Sequence, residues 1–514
     1  MLSQRTVVVV DCQTTGMRPP RGQVIEISWL VHGERVCDWP PEAHLVCLPE
    51  ASYLPKKVEA LTGISPEMLG AALDQETVFR RFHADLLRHR DPLSEKLPLV
   101  VIHYAQFEKP FLEDLYQRFL GLPELPFEVL CTHRIAKKVL LNLPTMNLQG
   151  LSGYFGMPLR ELKRSLENVL ATALIWQGLV EELRQRDILS LEELRSFLGI
   201  KAKASGKKYE YPLLKEKRLG LPDRPGVYRM IAKTGEVLYV GKATSLKDRV
   251  NSYFRGQKGR DRRKLEMLVQ VWDIRVTVCE NPVMAAILEN DEIKRLNPKY
   301  NISLKTSHRK LIFYDRYFEE RSIVQDLGHP IGPFRSSSPI EQLRSLRVAL
   351  GNDYFQQIFY EPVPLELVRE GFLEYCAQKE LSVAALLSVR SMLAHGLLLS
   401  RFSLHPDEVI EDESEDEEYT VADVVEKFRK LFVRAAQEYL RSKKTNELLN
   451  AKVSWFGKDR QFEISIVNGR LTDEAGVHVG EEHPWNQLSM ADYDRLMILQ
   501  SEMRKYQHEI QLLE

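Results

Sequence analysis

Four consecutive valines, Val7 to Val10, run straight into Asp11 near the start of the chain. A β-branched run that is apolar at every position cannot alternate between core and solvent. It fits a central strand covered on both faces. Residues 24–30 (VIEISWL) supply a neighbouring strand and 97–103 (LPLVVIH) another buried one, with a helix expected from about Lys109-Pro110. Over 165–182, Leu166, Val169, Leu170, Ala173, Leu174 and Leu179 share one helical face. Interleaved strands and helices predict an α/β unit over residues 1–185.

The 514 residues allow roughly three or four domains of about 150 residues each. Apolar residues make up 44% and charged residues 28% of the chain, and the formal net charge is −1. Any nucleic-acid binding must therefore come from local basic surfaces. The six cysteines (Cys12, Cys37, Cys47, Cys131, Cys279, Cys376) form no C-x-x-C pair and no zinc-spaced cluster. That pattern predicts reduced thiols, a cytoplasmic location and no structural zinc. The opening apolar run is too short for a signal peptide, and no stretch approaches 18 apolar residues, so no membrane span is expected.

A short helix at 190–198 leads into KAKASGKK at 201–208, which places a linker over 186–212. The next unit, 213–305, reads as a strand at 226–231, a turn around Thr234-Gly235, a strand at 237–240 and a helix at 245–254. Residues 306–405 look mixed, then helical. EDESEDEE at 411–418 holds seven acids in eight residues and predicts a solvated linker over 406–419. In 420–514, Thr420-x-x-Asp423 opens a helix to about Ser442, and 453–456 with 462–467 form a hairpin, followed by a tight turn at Asn468-Gly469. Ser489-x-x-Asp492 starts a last helix expected to run nearly to the C-terminus. The fold class is thus α/β multidomain, ending in a mostly helical region with a β-hairpin.

Between 226 and 289 stand Gly226-Val227-Tyr228, Tyr239-Val240-Gly241-Lys242, Arg249 and Glu289. Two phenols, two cations and one acid are what single-metal hydrolysis of a phosphodiester asks for. The text PGVYRM (225–230), EVLYVGKATSLKDRVNSYF (236–254) and AAILENDEIKRLNPKYNISLK (285–305) resembles the GIY-YIG nuclease domain in its UvrC and Cho version. That resemblance implies one Mg²⁺ or Mn²⁺ ion at Glu289 and a phosphate contact at Arg249. It also implies that Lys242 lowers the pKa of a nearby tyrosine, and that Asn301 orders the site. Tyr228 and Tyr239 are both candidate bases, with Tyr228 preferred. Residues 213–305 hold 20 Lys+Arg against 11 Asp+Glu, a local net of +9. Lys258, Arg260, Arg262, Arg263 and Lys264 form a dense basic stretch placed to track a DNA backbone. GHPIGPFRSS at 328–337 is similar to the segment that follows the domain in UvrC and Cho, so 306–405 is read as their helical extension.

Residues 6–180 resemble DnaQ-like exonucleases of the DEDDh group, an RNase H-like fold, through VVVVDCQTTG (7–16), VIEIS (24–28), HYAQFEKPFL (103–112) and KRSLENVLATA (163–173). In that family four carboxylates hold two metals and a histidine is the base. Here Asp11 remains, but Gln13, Glu108, Lys163 and Asn168 stand at the other four positions. Two acids and a lysine sum to −1, too little to hold two divalent cations side by side. The expectation is a pseudo-exonuclease that keeps its fold and a nucleic-acid groove. The competing reading has Glu26 or Glu167 replace a lost acid.

The expected function is an endonuclease making single incisions in damaged, branched or bubble DNA during repair, with a repair helicase or other repair protein as partner. The rival readings are a scaffold whose nuclease waits for that partner, and a dual exonuclease/endonuclease. His395, His405 and His483 are too isolated to be ligands. Trp455, Phe456 and Phe462 either pack or stack on bases, with packing preferred.

Overall fold

The computed structural model describes residues 1–33, 40–49, 52–90, 97–158, 161–200, 209–255, 261–301, 310–335, 339–351, 358–359, 363–402, 419–457, 461–472, 488–506 and 508–513. The linker text at 201–208, Lys258, Arg260, the acidic run at 411–418, His405 and His483 lie outside these residues. The chain divides into two compact units, Met1–Cys279 with Leu296–Ser303, and Glu280–Arg295 with Leu304–Glu514.

The first unit opens on β1 (Val7–Thr14), β2 (Val24–His32) and β3 (Glu42–Leu45), then α1 (Lys56–Thr62), α2 (Pro66–Gly70) and α3 (Gln75–Arg88). β4 (Leu99–Ile102), α4 (Ala105–Leu120), β5 (Val129–Cys131), α5 (Thr132–Val139), α6 (Leu148–Phe155), α7 (Ser165–Arg184) and α8 (Leu191–Gly199) follow. The strands form one sheet in the order β3-β2-β1-β4-β5. β1 is antiparallel to β2 and parallel to β4. The valine run behaves as its composition demands. Val7 and Val9 enter one core with α7, while Val8 and Val10 enter another with α3 and α4.

Two expectations change here. α4 starts at Ala105, four residues before Lys109, because a proline in the second turn costs only the bond to a carbonyl at the helix entrance. Residues expected as linker from 186 instead continue the first core, where Leu191 and Leu194 of α8 are buried. A Ser190–Glu193 capping box fixes the start of that helix.

The unit continues with α9 (Lys215–Leu219), β6 (Gly226–Ala232), β7 (Val237–Ala243), α10 (Leu246–Ser252), α11 (Arg262–Leu268) and β8 (Val271–Val278). β7-β6-β8 is an antiparallel sheet, and Gly235, at φ 90°, supplies its expected first turn.

The second unit holds α12 (Pro282–Leu296), β9 (Leu311–Tyr314), β10 (Arg321–Ser322), β11 (Ile331–Arg335), α13 (Pro339–Gly351), α14 (Leu365–Gln378), α15 (Val389–Phe402) and α16 (Val421–Glu447). β12 (Ala451–Phe456), β13 (Gln461–Val467), β14 (Arg470–Thr472), α17 (Met490–Met503) and β15 (His508–Leu512) complete it. The capping box at Thr420 and the Asn468-Gly469 turn, with positive φ at both residues, form as expected. The hairpin widens to a four-stranded sheet, β14-β13-β12-β15. The end of the chain is therefore a strand, where a helix was expected. β15 alternates too weakly to announce itself, since all five residues are exposed and only its backbone pairs with β12. Trp455 and Phe462 are core residues, while Phe456 is exposed. His395 hydrogen-bonds the Tyr375 hydroxyl at 2.7 Å.

α12 is built into this sheet. Val283 and Ile287 pack among Val453, Trp455, Ile464, Leu496 and Leu499. Arg495 of α17, itself buried, donates through Nε to both oxygens of Asp291 at 3.1 and 3.0 Å, and through Nη1 to Asp492 at 2.9 Å. Lys294 pairs with Asp494, which also accepts from Arg335 at 3.2 Å. Removing Arg495 strands two carboxylates in an apolar setting. Arg495→Ala is expected to cost the second unit about 3 kcal/mol, read as a lower urea midpoint by tryptophan fluorescence; an unchanged midpoint refutes the clamp.

Candidate active site

The register of β6 on β7 sets Tyr228 opposite Gly241 and Met230 opposite Tyr239. Opposed residues of an antiparallel pair share a face, so both phenols rise from one side of the sheet with Gly241 between them. A β-carbon on Gly241 would lie 2.4 Å from the Tyr228 hydroxyl and 2.8 Å from the Tyr239 ring. Glycine is therefore required for the two rings to converge.

α10 completes the cluster. Ser245 caps it by accepting from the Asp248 N–H, and Arg249 and Tyr253, four residues apart, lie on one helical face. The Tyr253 hydroxyl is 2.9 Å from that of Tyr228. The three ring centroids sit 6.1–6.2 Å apart. Arg249, whose side chain is exposed, lies 5.5 Å over the Tyr253 ring and beside the Tyr228 phenol. Tyr253 escaped the sequence reading, although its spacing from Arg249 within the quoted RVNSYF text was the available signal.

Burial, then the neighbouring Tyr253 and Tyr239, push the Tyr228 phenol well above its ordinary value, with Arg249 pulling weakly the other way. This runs against the preference for Tyr228 as base. Lys242 pairs with Val227 in the ladder, so strand alternation sends it to the face opposite Tyr228. The cation beside the phenols is Arg249, which displaces Lys242 from the tuning role expected of it.

Asn301 acts on the backbone. Its carboxamide accepts from the Val240 N–H at 3.0 Å and donates to the Val240 carbonyl at 2.9 Å, pinning the strand between Tyr239 and Gly241. Glu289 is half-buried on α12, in the second unit. No set of three His, Cys, Asp or Glu side chains is gathered for a metal among the described residues. A lone carboxylate fits a Mg²⁺-like ion that keeps most of its waters. Arg262, Arg263 and Lys264 are exposed on α11, with Arg263 also donating to the Lys299 carbonyl at 3.2 Å.

Midway along β1, Asp11 is buried and accepts through one oxygen from Gln13 at 3.0 Å and from Asn168 at 3.1 Å. Glu108 is buried beside it. Burial pushes Asp11 up to about 7 and Glu108 well above its ordinary value, with the Asp11 charge raising Glu108 further. The pair thus holds a proton near neutral pH. Lys163 does not aim into the cluster as expected but pairs at the surface with Glu161 at 2.7 Å. The charge is still about −1, reached through a proton where the lysine was expected to supply it. Glu26 is occupied by Arg164, at 2.9 Å from Nε, and by the Ser165 N–H at 2.8 Å. It anchors the start of α7. One oxygen of half-buried Glu167 has no hydrogen-bond partner.

These phenols, Arg249, Glu289 and Asn301 all lie in a segment that carries a UvrC-like GIY-YIG domain. Residues 224–302 match the family described as the UvrC-like GIY-YIG domain. A putative bifunctional exonuclease/endonuclease protein of Mycobacterium tuberculosis is 30% identical over 361 residues, 67% of this chain and 52% of that protein. The UvrABC system protein C of Chlorobaculum tepidum is 37% identical over 169 residues, 32% of this chain and 26% of its own. The chain thus spans about half the length of the first relative and a quarter of the second. Among solved structures, the magnesium-bound N-terminal endonuclease domain of Thermotoga maritima UvrC is 33% identical, covering 17% of this chain and 94% of that one at a TM-score of 0.16. E. coli exonuclease I with a dA16 oligonucleotide is 15% identical, covering 44% and 48% at a TM-score of 0.31. Among the described residues no helix is long and apolar enough to cross a membrane.

Because the folded-state pKa of Asp11 is raised, the folded protein binds the extra proton, and stability falls as pH rises from about 4 through about 7. Asp11→Asn keeps the acceptor and removes the charge. The variant is expected to melt like the wild type at pH 4 and on the order of 5 °C higher at pH 8. A gap that does not grow with pH, by scanning calorimetry, refutes the buried charge.

Proposed function

We propose that the protein is a divalent-metal-dependent DNA endonuclease of repair, acting in the cytoplasm and making single incisions in damaged or branched DNA. The observation that carries this reading is the gathering of three phenols and an exposed guanidinium around Gly241, inside the segment that matches the UvrC-like family. Arg249 offers a planar fork to a phosphate, held in place by the Tyr253 ring beneath it. Tyr228, kept neutral by burial, donates a hydrogen bond and orients its neighbours. The half-buried Tyr239 takes the proton of the attacking water. An ion held at Glu289 would supply the charge that stabilises the leaving oxygen. Arg262, Arg263 and Lys264 follow the backbone away from the cut.

In this reading the exonuclease-like domain binds DNA or a partner without cutting. Two neutral amides and a shared proton stand where a two-metal centre needs charge.

Labelled bubble, flap, fork and lesion duplexes with Mg²⁺ or Mn²⁺ test the assignment. Glu289→Gln and Arg249→Ala are each expected to lower the nicking rate by about 10³-fold, with DNA affinity in gel shifts nearly unchanged for Glu289→Gln. Nicking retained in both variants removes the assignment. Tyr239→Phe is expected to flatten the alkaline rise of kcat, whereas Tyr228→Phe lowers kcat and keeps that rise. The reverse pattern returns the base to Tyr228.

A further inference from the structure

The tyrosine strand is tied to the exonuclease-like domain by a chain of hydrogen bonds within the first unit. Asn147 uses both ends of its carboxamide. Oδ1 caps α6 by accepting from the Gly150 N–H at 3.0 Å, and Nδ2 donates to Glu266 of α11 at 2.6 Å. The other Glu266 oxygen accepts from the Tyr300 hydroxyl at 2.8 Å. Gln270 donates to that hydroxyl at 2.6 Å and to the Glu266 carbonyl at 2.8 Å. Tyr300 in turn donates its N–H to the Leu238 carbonyl at 3.1 Å, and the next residue is Asn301, the clamp on Val240.

Side-chain size supports the same contact. A β-carbon on Gly153 would lie 2.1 Å from Gln270 Oε1, and one on Gly150 would lie 3.0 Å from a methyl of Val269. These bare positions let α6 approach Val269 and Gln270, just past the end of α11. Tyr154 adds a ring contact to Trp272 at 5.8 Å, and Lys233 covers that indole at 4.9 Å.

We infer that Asn147, Glu266 and Tyr300 are positioning residues through which the exonuclease-like domain sets the backbone of the Tyr239-Val240-Gly241 strand. The domain then contributes to cutting as a mount, with no chemistry of its own. The effect on cutting rests on the nuclease reading; the effect on the strand does not.

The test uses the full chain. Asn147→Asp keeps the helix cap and sets a carboxylate against Glu266. Asn147→Ser keeps the cap oxygen and loses the donor. Both are expected to speed amide exchange at Val240 by about tenfold and to lower kcat for nicking by about tenfold at unchanged KM. Adding Glu266→Gln to Asn147→Asp lets the new amide donate to the new carboxylate and still accept from Tyr300. That pair is expected to recover wild-type exchange and kcat, an outcome that a general loss of folding does not produce. Wild-type exchange at Val240 in both single variants, or no recovery in the double variant, overturns the relay. If the wild type cuts nothing while the exchange pattern holds, the nuclease reading falls and the relay stands.

Discussion

One missing β-carbon governs the candidate site. Tyr228 and Tyr239 occupy diagonal positions on neighbouring strands, and their rings converge above the residue that faces Tyr228. Any side chain at Gly241 would occupy that space. With the space open, the phenols meet Tyr253 from α10, and Arg249 is laid over the Tyr253 ring. The ring contact and the neighbouring phenol hold the guanidinium and limit the side-chain freedom it has left to lose. Burial of Tyr228 follows from the same geometry, and burial is what makes the phenol hard to deprotonate.

The exonuclease-like domain shows the opposite use of burial. Its sheet closes over Asp11 and Glu108 as completely as over the valines beside them. Burial there raises both carboxyl groups above their ordinary values, and Gln13 and Asn168 donate amide hydrogens to Asp11. Glu26 is satisfied separately, by Arg164 and the first N–H of α7.

Legibility from the sequence followed the strength of the local constraint. The valine strand, the Thr420 capping box, the Gly235 turn and the Asn468-Gly469 turn were all readable, because each rests on burial or backbone preference that acts within a few residues. The two tyrosines and Arg249 were readable as a motif, and the structure gathers them. What escaped was set by distant partners. Lys163 occupies the motif position of the family's histidine, yet it turns to Glu161, because a solvated ion pair costs far less than an ammonium buried among polar atoms. β15 is a strand only through its backbone bonds to β12. α8 belongs to the first core because Leu191 and Leu194 find apolar surface there, which no composition window reveals.

The same distinction explains why α6 can support the tyrosine strand whatever groups stand around Asp11. A two-metal site needs four acids in register, and single substitutions dismantle it. A packed sheet with a helix docked on its neighbour depends on many apolar contacts and tolerates such losses. Bare positions on α6 and a two-ended amide at Asn147 are properties of that packing, and they persist when Gln13 and Asn168 stand in place of carboxylates. The tyrosine strand is short, and the place of the Tyr239 phenol depends on how closely its backbone is fixed. Asn301 supplies that restraint from one side of Val240, and the residue before it is held by Glu266 and Gln270. Rigid support of this kind rests on packing and hydrogen bonds, and it asks nothing of the acids around Asp11.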